Sequence, residues 1–302
     1  KVLTSGEGGG MVWAATCPEQ AAAALRARKA RHIINVFSVD WASRRAAGTG
    51  TPGDYHANEP MKALFEVPFG WYPQPVYMAT QACRHMHDYG TRPEQVAMVK
   101  VIHSEHASNN PKAFYKQRVT VDDVLNSRMI CKPLHLLDCC VETDNANCII
   151  VTSADRARDC KHHPVLIRSV VGRCSKPRTD NHFQHGPITL TAGHYGREIL
   201  WRNAGVLPED IDITGSYDAF TFTTLMQLED YGFCRKGEGG DYVSNGTIRL
   251  GGKRPNNTSG GHLCEGYTHG ISMVIENVRQ LRHDVDDGCP MGPDGRRVHT
   301  HD

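Results

Sequence analysis

The stretch Asn257-Thr258-Ser259-Gly260-Gly261-His262-Leu263-Cys264-Glu265-Gly266-Tyr267-Thr268-His269-Gly270 decides how this chain is read. Its glycines let the backbone approach a ligand closely and then feed a helix N-terminus, whose N–H groups can hold a developing oxyanion. Behind it, Ile271, Val274, Ile275 and Val278 recur at helical spacing, so a helix is expected from Gly270 to Arg282. Upstream, Asp210-Ile211-Asp212-Ile213-Thr214-Gly215-Ser216-Tyr217-Asp218-Ala219-Phe220-Thr221 reads as a strand running into a helix. Ligands of open α/β sheets bind at the carboxyl ends of strands, which makes Tyr217 and Asp218 site candidates. Asp218 also suits a helix N-cap.

Working outward, helical and extended segments alternate. Ala21 to Ala27 is helical by propensity, and Pro18 before it marks a kink or a fresh helix start. His32 to Ser38 and Asn147 to Ser153 read as buried strands. Tyr77 to Tyr89 is a helix closed by Gly90, and Thr91 with Glu94 fits a capping box that starts the next. Val121 to Leu125 is a short helical turn. Val165 to Val171 reads as a strand opening a second half, and Ile248 to Gly252 as strand-like. Tyr195 to Ala204 and Phe220 to Tyr231 are helices closed by Gly205 and Gly232. This alternation predicts an α/β chain with a mainly parallel sheet. Two halves are expected, 1–163 with a loop region at about 43–75, and 164–302. Polar stretches at Asp159 to His163 and Arg173 to His185 surround the junction.

Composition excludes several classes. The 302 residues carry 34 Lys and Arg against 33 Asp and Glu, a formal charge of +1 with no basic block, so a mainly electrostatic nucleic-acid binder is not expected. No apolar run approaches the roughly 20 residues of a membrane span. Lys1 to Glu7 has no apolar signal core, and the 11 cysteines are odd in number with no CxxC pair. Buried, reduced thiols in a cytoplasmic protein are therefore expected. His103-x-x-His106 and His162-His163 have no third ligand at metal spacing, so they read as solvated histidines and no metal is expected. His262 could touch a ligand or lie on the surface, His269 reads as a first-turn helix residue, and Cys264 as a packing thiol. Phe69-Gly70-Trp71-Tyr72 could line an apolar pocket or be a packed loop.

The two site segments resemble the thiolase superfamily, in its sterol-carrier-protein branch. Tyr217-Asp218-Ala219-Phe220 matches a His-Asp-Cys-Phe motif, and Asn257 to Gly270 matches Asn-x-Ser-Gly-Gly-x-x-x-x-Gly-His-Pro-x-Gly. Tyrosine stands in the place of each active-site histidine. The family's nucleophilic Cys would fall in Glu7-Gly8-Gly9-Gly10-Met11, which has none, and Cys17 comes too late for the motif. Without that thiolate no acyl-enzyme is expected. This combination is similar to thiolase-like aldolases of steroid side-chain degradation. The resemblance implies a five-layered α/β/α/β/α fold and retro-aldol cleavage of a β-hydroxyacyl-CoA to a ketosteroid and a shorter acyl-CoA such as propionyl-CoA. It makes Tyr217 and Tyr267 the acid/base pair, with Asp218, Asn257, Gly260, Gly261, His262 and Gly266 contacting substrate.

No cofactor is implied beyond the CoA of the substrate. The family's habits imply a homodimer core flanked by a separate zinc-ribbon/OB-fold partner, giving a heterotetramer. The chain is expected to start just before the helix that follows the nucleophile position and to lack the family's final strand. Two other readings stay open: an acyltransferase of the sterol-carrier-protein type using another cysteine, and a non-catalytic lipid-binding subunit.

Overall fold

The structure is a computed structural model that describes residues 13–48, 60–71, 74–172 and 187–284. Four sequence expectations lie outside the described residues: the Gly6 to Gly10 turn with the nucleophile position, the polar stretch Arg173 to His185, Tyr72, and Pro290 to Asp302.

In chain order the elements are α1 (Trp13–Arg26), β1 (His32–Asp40), α2 (Trp41–Ala46), α3 (Pro60–Phe65), α4 (Gln74–Tyr89), α5 (Pro93–Ser108) and α6 (Val121–Asn126). There follow β2 (Met129–Cys131), β3 (Leu134–His135), β4 (Asp144–Thr152), α7 (Ala154–Ala157), α8 (Ala192–Ala204) and α9 (Thr221–Asp230). The last are α10 (Gly239–Ser244), α11 (Gly261–Cys264) and α12 (Ile271–Leu281). Pro18 lies inside α1, so neither a break nor a new start is made there.

The core is built on α5 and α9. A helix that is apolar all round must be buried, and α5 has Val96, Val99 and Ile102 inside together with Lys100, His103 and His106. Phe222, Leu225 and Leu228 of α9 and Leu263 of α11 close around it. The turn signals were reliable. Gly90 and Gly205 adopt the left-handed conformation that ends α4 and α8. Thr120 caps α6 by accepting the Asp123 N–H at 3.1 Å. Thr91 does not cap α5: Arg92 holds that place with Pro93 at the first turn, and the Thr91 hydroxyl bonds His85 instead.

Strands were the weaker reading. Among the described residues β1 pairs with β4 and β2 with β3, both antiparallel, and the mainly parallel sheet is not found. One parallel bridge, Thr214 to Asn256, is all that Ile211 to Ser216 makes of a strand. Among the described residues Val165 to Val171 forms no ladder, and Ile248 to Gly252 folds as turns, with the Gly252 N–H donated to Arg249 O and the Leu250 N–H to His106. β1 and β4 are half-buried rather than buried. Ile34, Val36 and Ile150 stand exposed on one face, while the other face leans on α1 and α12. The nine cysteines among the described residues are free thiols, but only Cys17 and Cys264 are buried. Cys83, Cys148 and Cys160 are exposed, against expectation.

Candidate active site

Backbone pairing brings the two motifs together. Thr214 donates to Pro255 O at 2.9 Å and Asn257 donates to Thr214 O at 3.0 Å. The Asn257 side chain then grips Ser216 at both ends, accepting its N–H at 2.8 Å and donating to its carbonyl at 2.9 Å. Asn257 adopts φ +49, a left-handed conformation that asparagine tolerates. A third segment, ahead of β4, is laid between the motifs: Cys140 donates to Ala219 O and Val141 to His262 O.

Tyr217 and Tyr267 meet at their hydroxyls, 2.5 Å apart. Each is held by its backbone. Gln227 of α9 accepts the Tyr217 N–H at 2.9 Å and donates to its carbonyl at 2.8 Å. Thr143 accepts the Tyr267 N–H at 3.1 Å. Both rings are half-buried, with His262 against each at a centroid distance of 4.9 Å. The Tyr267 hydroxyl also lies 3.4 Å from Nδ1 of His269.

Below the tyrosines sits a buried charge pair. Asp218 accepts from Nδ1 of His103 at 2.9 Å, and Nε2 of His103 reaches Asn256 Oδ1 at 3.1 Å. Both ring nitrogens of His103 face acceptors, so the ring links the Asp218 carboxylate to the Asn256 side chain. Burial works against the Asp218 charge, but the hydrogen bond and charge of His103, helped by His262, hold the carboxyl below its usual range. The expectation of a solvated His103 and His106 is overturned. Both are buried, and His106 bonds Asn257 O and the Leu250 N–H. Desolvation, with the neighbouring His103 charge, pushes His106 down to about 3, so it is neutral.

Two further corrections follow. Asp218 does not cap its own helix, whose N-cap is Phe220. It caps α11 across the chain, accepting the His262 N–H at 2.8 Å and the Leu263 N–H at 3.4 Å. Asp218 thus takes up two N–H groups of α11, while at the start of α12 the Ile271 and Ser272 N–H groups go to Thr268. The glycines also serve packing inside the protein. A Cβ on Gly260 would meet Ala107 at 2.5 Å, one on Gly261 would collide with Asp218, and one on Gly266 would meet Asn145 at 2.7 Å. Second, His262 is fully buried and does not lie on the surface.

Its Nε2 accepts the Gly270 N–H at 3.0 Å, which leaves the ring proton on Nδ1, 3.5 Å from Asp218. Burial pushes it down to about 4, against the pull of Asp218. Burial alone does the same to His269, at about 4. His269 lies ahead of α12 rather than in its first turn. Cys264 is buried with Lys100 donating to it at 3.3 Å, and burial pushes the thiol up to about 11 although Lys100 pulls the other way. Of the aromatic run, Phe69 is 80% exposed, while Trp71 packs edge-on to Tyr77. Among the described residues no group of three or more His, Cys, Asp or Glu is placed to hold a metal ion, and no helix is long and apolar enough to cross a membrane.

Known proteins share this arrangement of segments. Residues 176–291 match the family described as thiolase C-terminal domain-like. A solved structure named Ltp2-ChsH2(DUF35) aldolase superposes with a TM-score of 0.81 and 33% identity, over 91% of this chain and 70% of that one. The chain belongs to the thiolase superfamily. Two curated relatives are similar to it. It is 44% identical over 222 residues to the 17-hydroxy-3-oxo-4-pregnene-20-carboxyl-CoA lyase of Mycobacterium tuberculosis, covering 72% of this chain and 57% of the relative. It is 40% identical over 223 residues to the steroid side-chain-cleaving aldolase of Thermomonospora curvata, covering 72% and 56%. The chain thus spans just over half the length of these two thiolase-superfamily relatives.

Proposed function

We propose that this chain carries the catalytic pair of a steroid side-chain retro-aldolase. It would cleave a β-hydroxyacyl-CoA side chain into a ketosteroid and a shorter acyl-CoA such as propionyl-CoA. The observation that carries the reading is the Tyr217–Tyr267 hydroxyl contact at 2.5 Å.

Retro-aldol cleavage moves one proton and no net electrons. A base takes the β-hydroxyl proton, the carbon–carbon bond breaks toward the thioester, and the resulting enolate is protonated at its α-carbon. Two phenols sharing one hydrogen bond suit this exchange: one takes a proton, the other gives one, and the shared proton shifts between them to restore the start. A phenol has a reference pKa of about 10, so the single negative charge of the pair needs donors around it. The charge of Asp218 is balanced by His103 and therefore does not oppose a phenolate above it. The scheme uses no metal ion and no Schiff-base lysine, and CoA arrives with the substrate.

The names of the two curated relatives support the substrate class, and the name of the solved structure supports a partner protein of the DUF35 type. We infer a homodimer core with a separate zinc-ribbon/OB-fold partner, assembled as a heterotetramer in the cytoplasm. The two halves are 1–163 and 164–302, and the Asp218–His103 pair ties one to the other. The acyltransferase alternative needs a thiolate, and Cys264 is buried with its pKa raised.

Tyr217→Phe and Tyr267→Phe test the reading, since each removes only a hydroxyl. Loss of one positioned acid or base lowers the rate by about 100- to 10,000-fold, while Cys264→Ala keeps most of the activity. Near wild-type cleavage by both Phe variants, with Cys264→Ala dead, would replace the aldolase reading with the acyltransferase one.

A further inference from the structure

His269 is placed with more care than a residue beside a helix end requires. Its backbone has φ +52, and only three other non-glycine residues among those described have positive φ. One of them, Asn257, belongs to the same sequence motif. Such conformations persist in side-chain-bearing residues where the surroundings over-determine them. Here His262 accepts the N–H of Gly270 at 3.0 Å, and Phe37 of β1 and Tyr267 both pack edge-on against the His269 ring, at 5.0 and 4.8 Å. The result aims Nδ1 at the Tyr267 hydroxyl, 3.4 Å away. That is a long contact, of the kind that shortens when a catalytic site takes up charge.

Tyr217 O, Tyr267 O and His269 Nδ1 thus form one chain of polar atoms. We propose that His269 donates its Nδ1 proton to the Tyr267 oxygen, so that the negative charge of the tyrosine pair settles on Tyr267. Tyr267 is then the base for the β-hydroxyl and Tyr217 the acid for the α-carbon. The acid/base assignment rests on the retro-aldol reading; the hydrogen bond does not. In the reaction the substrate O–H proton passes to Tyr267, the carbon–carbon electron pair becomes the enolate, and the Tyr217 proton goes to the α-carbon. The proton on Tyr267 then crosses the 2.5 Å contact back to Tyr217, and His269 keeps its own throughout.

The neighbouring groups agree with this role. His262 is committed through Nε2 to Gly270, while its Nδ1 lies 3.5 Å from Asp218 without a hydrogen-bond partner among the described residues. Asp218 beneath it is paired with His103, and Phe37 on the outer side carries no charge. Burial keeps His269 neutral at neutral pH, with one N–H to give.

Two variants separate the donor from the backbone. Gly and Asn both accept a left-handed φ. His269→Gly removes the donor, whereas His269→Asn offers an amide N–H near the position of Nδ1. The phenolate absorbance of the pair is titrated, taking Tyr267→Phe as the blank, and the pH profile of kcat/KM is recorded. His269→Gly should raise the pKa of the pair by about one unit, a tenfold change, move the acidic limb of the profile upward by the same amount, and lower the neutral rate about tenfold. His269→Asn should recover most of each change. An unmoved titration in His269→Gly, or equal behaviour of the Gly and Asn variants, overturns the proposal. Wild-type protein that cleaves nothing while the titration still shifts overturns the aldolase assignment and leaves the hydrogen bond standing.

Discussion

Gly261→Ala probes the junction on which the whole site is built. A methyl there would stand 2.2 Å from Asp218 Oδ2 and 2.7 Å from Asn257 Nδ2, where real Cβ contacts hardly fall below 3.0 Å. The carboxylate cannot give way freely, because His103 and the His262 N–H hold it at 2.9 and 2.8 Å. Retreat by the best part of an ångström breaks a fully buried ion pair, which costs about 3–5 kcal/mol. Gly261 also has φ +59, and an alanine forced to adopt it costs about 1–2 kcal/mol more. The total, about 4–7 kcal/mol, is a large part of the stability of an ordinary domain. Gly90→Ala supplies the reference, since Gly90 has φ +72 and nothing within 4 Å, so only the backbone strain applies there. Chemical denaturation of both variants measures the difference directly. If Gly261→Ala costs no more than Gly90→Ala, the Asp218 junction is not crowded and the reasoning fails.

Stability should fall as pH drops from about 6.5 toward 5. His262, His269 and His106 are held down to about 4, about 4 and about 3 in the folded state, so the unfolded chain binds about three more protons in this range. Glu265 opposes them, because burial raises it to about 7 and the folded state gains about one proton there. The net effect of these four groups is about two protons, or about 2.7 kcal/mol lost per pH unit near pH 5.5, and urea unfolding at several pH values would expose a flat profile as a contradiction. Alkylation of the native protein should modify the exposed Cys83, Cys148 and Cys160 and spare Cys264 until the chain unfolds. Native labelling of Cys264 alongside the exposed thiols, read by mass spectrometry, would revive the acyltransferase alternative.

Local signals in the sequence carried the helices and their stops, because a glycine at φ > 0 or a threonine at an N-cap acts within a few residues. Gly90 and Gly205 behave as expected, whereas Thr91, expected as an N-cap, bonds His85 instead. Sheet pairing depends on neighbours remote in sequence, and Val165 to Val171 is apolar enough for a strand yet pairs with none among the described residues. The two tyrosines were legible because the motifs fix their positions. The layer beneath them was not. His103 finds Asp218 and Asn256 across 115 and 153 residues, and i, i+3 histidine spacing on one helix says nothing about such partners. The signal that could have revealed it is the presence of Lys100, His103 and His106 inside a helix otherwise lined by Val and Ile, since buried polar side chains require partners. Asp218 was misassigned for the same reason: the helix it caps is α11, 44 residues away, and not its own.

Product analysis with a β-hydroxyacyl-CoA steroid tests the central claim most directly, with the intact mass of the protein followed in the same mixture. The expected result is ketosteroid and shortened acyl-CoA in equal amounts, no free-CoA requirement, and an unchanged protein mass. A protein mass raised by an acyl group, or cleavage that proceeds only when free CoA is supplied, would contradict it.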